Sequence, residues 1–283
     1  MQHGLRSAGL LSSLPILTLL AMIFVAPLLV VFGFSVMPTK TFSLLQVPTL
    51  ENFAIIVGET YYMSLLWSLG LSAWTVLILL AICYPLAFAM AKVFGVFTNV
   101  ITVLVVLTLF VSENIRLFGW LLVLMKGGLL SGYLNAWLGI EMGGLLYNAP
   151  IIVFGMVYVY FPFMLFPLTL GISMIPDELR EAAADLGASR WTILREVDLP
   201  LAMPGILVGS MLSFVLCTGA MLESKLLGGQ KVIVMADEIE SAFTYGQNWP
   251  LGSALSVVLI VLVGVIAVFV LRRIDLDQIL GKV

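Results

Sequence analysis

Three ionisable side chains, Glu113, Arg116 and Glu223, stand inside or beside long uncharged runs, and little else in these 283 residues could do chemistry. Charge is costly in hydrocarbon and is kept there where it handles ions, protons or solutes, so the two carboxylates are candidates for receiving a cation. Covalent chemistry has less to build on. His3 is the single histidine, and neither an H-E-x-x-H helix nor a Cys/His cluster occurs, so no metal site is expected. Cys83 and Cys217 lie within apolar runs and read as packing residues, not as a disulfide or metal pair. No G-x-x-x-x-G-K-[ST] phosphate loop is present, so the chain is expected to bind no nucleotide by that route and no cofactor of its own.

The elements that must hold these groups are membrane helices. The chain is 61% hydrophobic and only 10% charged, with a mean hydropathy of +1.15. The surface of a water-soluble domain could not be clothed from such a composition. A net charge of −3 without a basic cluster gives no handle for nucleic acid. Crossing about 30 Å of hydrocarbon takes roughly 20 apolar residues. Six runs qualify, approximately Leu11–Met37, Tyr62–Ala91, Thr98–Met125, Ala149–Ile175, Gly205–Leu222 and Leu251–Leu271. The first is too long for the apolar core of a secretory signal and lacks a small-x-small cleavage site. The fold expected is all-α and polytopic, one transmembrane domain over 1–283.

Lys and Arg placement sets the orientation. With the N-terminus in the cytoplasm, the inner segments hold Arg6, Lys92, Arg180, Arg190, Arg195, Arg272, Arg273 and Lys282, and the outer ones only Lys40, Lys126, Lys225 and Lys231. Both termini are therefore expected inside. On a continuous third helix Glu113 lies about 30 Å beyond Val93, and Glu223 about 28 Å beyond Pro204, at roughly 1.5 Å per residue. Both carboxylates are expected at the outer boundary, either as plain interfacial charges with Glu113 and Arg116 paired at i, i+3, or as a ring at the mouth of a pathway. Lys225 beside them argues against a simple cation funnel. Pro85, Pro162 and Pro167 fall inside spans, where they produce ordinary bending or, in the fourth span, a flexible pathway wall.

The stretch from Pro176 to Pro204 stands apart, because it mixes both charge signs between long apolar runs. Asp177 follows Pro176 as a first-turn carboxylate, and Gly187 occupies the position that ends a helix in the left-handed conformation. Leu179, Ala182, Ala183 and Leu186 form one stripe, and Glu178, Glu181 and Asp185 another. Ser189 can cap a second helix from Arg190 to about Val197, with Trp191 and Ile193 on its apolar side. Pro200 and Pro204 are expected to break it. By periodicity alone this is an amphipathic loop at the membrane surface.

Its residues carry more. Glu181-Ala182-Ala183, three residues, Gly187, nine residues, Val197, one residue and Leu199-Pro200 resemble the EAA motif of ATP-binding-cassette (ABC) importer permeases, with valine in place of isoleucine as the one departure. The resemblance implies the type I importer permease fold in the bacterial inner membrane. It further implies that Glu181, Ala182, Ala183, Asp185, Leu186, Gly187 and Arg190 couple the chain to a separate ATPase. Two such ATPase subunits, using ATP and Mg, a second permease and an extracytoplasmic solute-binding protein would complete the assembly.

Between the last two spans, Leu227-Gly228-Gly229, a short amphipathic helix near Val232–Tyr245, and Trp249-Pro250 are similar to the spermidine/putrescine branch of that family, as is Asn114-Ile115-Arg116. This likeness covers roughly residues 50 to 270. It implies a polyamine as solute, with an opine or amino-acid derivative as the alternative. An ion-coupled secondary transporter would instead need repeated broken helices with acids near the midplane. A membrane enzyme would need catalytic groups that are lacking.

Overall fold

Why these residues make the helices they do is clearest at their prolines. In the computed structural model, which describes residues 15–139 and 144–272, the first span α1 (Pro15–Ser35) contains a π turn at Ala21–Val25, and α9 (Arg190–Thr218) contains another at Leu194–Asp198. Each π turn comes just before a proline, Pro27 or Pro200. A proline offers no N–H to the carbonyl four residues back, here that of Ile23 or Glu196. Both carbonyls lie within the widened turns. The expected break at Pro200 and Pro204 is thus corrected. The π turn takes up the donor missing at Pro200 and the helix runs on through Pro204 as well, so the fifth span begins before Gly205.

The remaining elements are α2 (Glu51–Gly58), α3 (Tyr61–Lys92), α4 (Phe97–Leu109), α5 (Glu113–Leu124), α6 (Leu129–Leu138), α7 (Ala149–Ser173), α8 (Asp177–Asp185), α10 (Leu222–Leu226), α11 (Met235–Thr244) and α12 (Trp249–Leu271). There is no strand among the described residues. Six stretches are long and apolar enough to cross a membrane: α1, α3, Glu113–Leu138, α7, α9 and Trp249–Val270. The expected third span, Thr98–Met125, is not one helix. The chain leaves α4 at Phe110 and starts α5 at Glu113, and it breaks again at 125–128 before α6. His3, Arg6, residues 11–14 of the first expected span, Arg273 and Lys282 lie outside the described residues.

Two compact units divide the chain. In the unit of residues 15–62 and 237–262, Trp249 is met edge-on by Phe34, Phe42 and Phe243, with ring centroids 5.9, 5.5 and 6.3 Å away. Buried Asn52 donates to the Ser35 carbonyl at 3.2 Å and to the Met37 carbonyl at 2.7 Å. Those bonds satisfy the C-terminal end of α1. The Trp249 indole is thus a packing centre that still stays 43% exposed.

The unit of residues 63–236 and 263–272 is built around α7, which contributes Ile152, Met156, Leu165, Leu168 and Ile172 to its core. Leu79, Cys83 and Ala87 of α3 and Ala202, Ile206 and Cys217 of α9 belong to the same core, and both thiols are free and buried, as expected. Helices in lipid gain little from the hydrophobic effect and associate through close packing and polar contacts. Both devices are here. Ser68, Ser72 and Thr75 form a buried stripe on α3, where Ser68 Oγ accepts from the Met235 amide at 2.7 Å and Thr218 Oγ1 reaches Ser72 Oγ at 3.2 Å. The first of these bonds anchors the start of α11, later than the expected Val232, while Val232 and Val234 lead in as buried, non-helical residues.

Close packing centres on Gly205 and Gly209, four apart on one face of α9. A Cβ on Gly205 would lie 2.7 Å from the Pro167 carbonyl oxygen and 3.0 Å from Gly171 Cα of α7. Backbone cannot yield as a side-chain tip can. Gly205→Val is therefore expected to destabilise the protein by about 1–3 kcal/mol, an overpacking cost. Thermal unfolding in detergent measures it, with Val208→Ala at a 42% exposed position as the near-neutral control.

Candidate functional site: an exposed elbow and a membrane cavity

Pro176, with φ −63° and ψ 135°, holds the chain extended and delivers Asp177 and Glu178 into the first turn of α8. The helix dipole favours carboxylates there. The far end closes as its sequence dictates. Ala188 N donates to Ala183 O at 3.0 Å and Gly187 N to Ala184 O at 2.9 Å, with Gly187 at φ +82°. These are the paired bonds of a Schellman motif. A Cβ on Gly187 would meet nothing within 4 Å. Backbone conformation, not space, requires the glycine. Ser189 Oγ then accepts from Thr192 N at 3.2 Å and starts α9, as expected of a capping serine. The result is an elbow of two helices.

Its apolar stripe is not buried against the rest of the chain. Leu179 is 47%, Leu186 90% and Trp191 70% exposed, and Glu181, Ala182, Asp185, Gly187 and Arg190 are exposed with them, while Ala183 is half-buried. The inward side of α8 is the one carrying Arg180. Its Nε lies 3.1 Å from Asp198 Oδ1, and its guanidinium carbon is 4.9 Å from the centre of the Phe88 ring. At the front of the helix Lys92 Nζ donates to Asp177 Oδ1 at 2.9 Å and to the Ile175 carbonyl at 2.5 Å. The hydrogen bond from Lys92, with its positive charge, holds the Asp177 carboxyl below its ordinary pKa.

The second place where polar groups gather is a cavity of about 550 Å³ at the α4–α5 break. Glu113 and Arg116 line it from α5, Tyr160 and Phe163 from α7, and Val215 and Gly219 from the end of α9. Because α4 is only 13 residues long, Glu113 does not ride to the outer boundary on a continuous helix. Such a helix rises only about 20 Å. Glu113 opens a new one, half-buried, at the favourable end of its dipole. Glu113 and Arg116 do not close the expected i, i+3 ion pair. Arg116 instead stands over the Tyr158 ring, 5.7 Å from its centre, and Tyr158 in turn packs edge-on against Trp120 at 5.6 Å.

Glu223 departs furthest from expectation. It lies on α10, beyond the end of the fifth span, but it is 0% exposed and so is neither an interfacial charge nor part of a ring at a mouth. Neither carboxylate oxygen has a hydrogen-bond partner, and the Tyr160 hydroxyl bears on it short of a well-formed bond. Burial pushes its carboxyl up to about 7, against the pull of its own backbone amide, with the nearby Glu113 charge adding to the shift and Tyr160 and Arg116 opposing it.

No family model matches the sequence. Individual relatives do. The chain is 36% identical over 233 residues to the spermidine/putrescine transport system permease protein PotB of Haemophilus influenzae, covering 80% of this chain and 79% of that one. It is 30% identical over 241 residues to PotB of Escherichia coli K12, covering 84% and 87%. The chain belongs to the spermidine/putrescine-type permease family of ABC importers. It is a multi-pass inner-membrane permease subunit. It is also 27% identical over 256 residues to the inner membrane ABC transporter permease protein YdcU of Escherichia coli K12. The fold agrees: a crystal structure of a bacterial ABC transporter that imports alginate superposes with a TM-score of 0.75 over 97% of this chain and 99% of that one, at 19% identity. A second structure of an alginate transporter, in complex with a substrate-loaded periplasmic protein, gives 0.75 over 95% of both chains.

Within the permease, the seven coupling candidates come together on the elbow, and Glu113 and Arg116 come together at the cavity with Glu223 behind it. Sequence reasoning missed Arg180, Asp198, Lys92 and Phe88 as a group, and Tyr160 as the residue between Glu113 and Glu223. One signal for the first group was available. Tyr84, Phe88 and Lys92 recur every four residues, which sets a hydroxyl, a ring and an ammonium in one row towards the end of α3.

Proposed function

We propose that this permease carries a polyamine-class cation inward, handed over by an extracytoplasmic solute-binding protein and driven by two ATPase subunits that bind the ATP and Mg. The observation that carries the solute class is the cavity, which Glu113 lines from α5 and Tyr160 from α7, with the buried carboxylate of Glu223 on α10 behind Tyr160. Extended alkylammonium chains are recognised by just such alternation of acid and aromatic groups. The names of the PotB relatives support the same class. A second reading, an opine or amino-acid derivative, is favoured by Arg116 on the same wall, since a zwitterion would use both charges. Competition decides between them: radiolabelled spermidine uptake by cells expressing the intact system should be suppressed by putrescine and not by opines or amino acids.

With both termini in the cytoplasm, α8 faces the ATPase through Leu179, Ala182 and Leu186, flanked by Glu181 and Asp185. Closure of the ATPase pair on ATP would draw the α8 helices of this chain and a second permease together and turn the pathway outward, and hydrolysis would reset it. Purification through a tag on this chain should bring down an ATPase in stoichiometric amount; its absence would refute the docking role of the elbow.

A further inference from the structure

Four charges from three elements close on one another where the elbow meets the membrane helices. Lys92, its side chain 8% exposed, ends α3 and reaches Asp177 at the first position of α8. One turn later on α8, Arg180 reaches Asp198, 2% exposed, in the π turn of α9, and lies over Phe88 of α3. Asp177 completes the group at 3.9 Å from Arg180. Tyr84, Phe88, Arg180, Arg190 and Asp198 wall a cavity of about 520 Å³ on the same side.

With most of the apolar stripe of α8 exposed, these polar struts tie the helix to α3 and α9. A helix pinned at a single point can swivel. Pinned at i and i+3, to α3 through one strut and to α9 through the other, it cannot move without taking both spans along. Arginine suits the second strut, because its planar guanidinium pairs with a carboxylate and stacks on a ring at once, which lysine cannot do. The π turn matters for the same reason, since a widened turn changes which face Asp198 occupies, and such turns recur at functional positions.

We propose that Arg180, held between Asp198 and Phe88, is the positioning residue that transmits displacement of α8 into α3 and α9. This rests on the reading of α8 as the ATPase-facing helix and extends it from the surface that docks to the joint that passes the motion on. It assigns to Arg180 and Asp198 no contact with ATPase or solute.

The test uses the whole transporter, reconstituted in liposomes with its binding protein and solute, and reads two quantities: solute uptake and ATP hydrolysed per solute imported. Arg180→Gln and Asp198→Asn complexes are expected to assemble with the ATPase in normal amounts, to lose about tenfold or more in uptake, and to hydrolyse ATP without stimulation by loaded binding protein, so that the ratio rises. Arg180→Lys should fall between wild type and Arg180→Gln. Because the pair acts as a unit, the double variant should be no worse than either single one to within about twofold. Wild-type uptake in the single variants, or uptake and hydrolysis falling together at a constant ratio, would overturn the proposal, as would fully multiplicative losses. If Arg180→Gln does not assemble, the isosteric Asp198→Asn and the charge-keeping Arg180→Lys supply the same readings. A wild-type complex that contains no ATPase would refute the docking reading instead.

Discussion

Leu186→Asp is expected to abolish solute uptake, by about a hundredfold or more, and to remove the ATPase from the purified complex, while the chain itself inserts and folds as before. Its side chain is 90% exposed and follows directly on α8, so nothing within this chain depends on it. Full burial of a leucine against a partner contributes about 1.5–3 kcal/mol. A carboxylate forced into the same apolar contact loses that and adds a desolvation cost of at least comparable size, together more than enough for a hundredfold change at about 1.4 kcal/mol per tenfold. Glu181 and Asp185 on the same surface would repel a third acid and sharpen the effect. Retained ATPase at wild-type stoichiometry would place the docking surface elsewhere on the elbow. Unfolding of the chain alone would show that Leu186 serves the fold, against its exposure.

The elbow was legible in the sequence because its signals are local. Proline before an acidic first turn, glycine in the left-handed position and serine before the next helix each fix backbone within a few residues, and all three behave in the structure as their chemistry requires. Long apolar runs likewise announce α1, α3, α7 and α12, though not the bounds of the third span. Structure departs from local preference where a helix yields beside a proline, where a span breaks, and where residues far apart along the chain meet. Pro200 and Pro204 stop a helix in isolation, but here the helix widens into a π turn at Leu194–Asp198 ahead of Pro200 and runs on through both. The break before Glu113 had no glycine or proline to announce it. Phe110, Val111 and Ser112 leave the helix although nothing in their own preferences demands it. The charged joint escaped because Lys92 and Asp177, like Arg180 and Asp198, are far apart along the chain, and only the packing of α3, α8 and α9 brings them together. Helical rise alone puts Glu223 at the outer boundary. Height along a helix says nothing of what closes over it, and Tyr160, Leu227 and Gly155 do.

A carboxylate fully buried without a hydrogen bond is a cost to the fold, and that cost makes the second prediction discriminating. The groups bearing on Glu223 are its own backbone amide, Glu113 and Arg116 from α5, Tyr160 from α7 and Cys217 from α9. With its pKa raised from 4.5 to about 7, the folded protein binds the proton more tightly than the unfolded chain. Stability from this group is therefore fully present below the unfolded pKa and is lost as pH rises through about 7, to a total of about 3 kcal/mol by pH 8. Glu223→Gln should abolish that dependence, so that its unfolding midpoint in detergent changes less between pH 5 and pH 8 than that of the wild type. In the same variant uptake should fall about tenfold or more, because a neutral amide no longer attracts an ammonium group in a dry site. Combining it with Glu113→Gln should deepen the loss while leaving ATPase docking intact. A residue kept for packing alone would give the opposite pattern, unchanged uptake with the same gain in alkaline stability, and that result would remove Glu223 from the pathway. Loss of transport in a protein no less stable at pH 8 would mean that the buried charge is retained for the solute, at the expense of the fold.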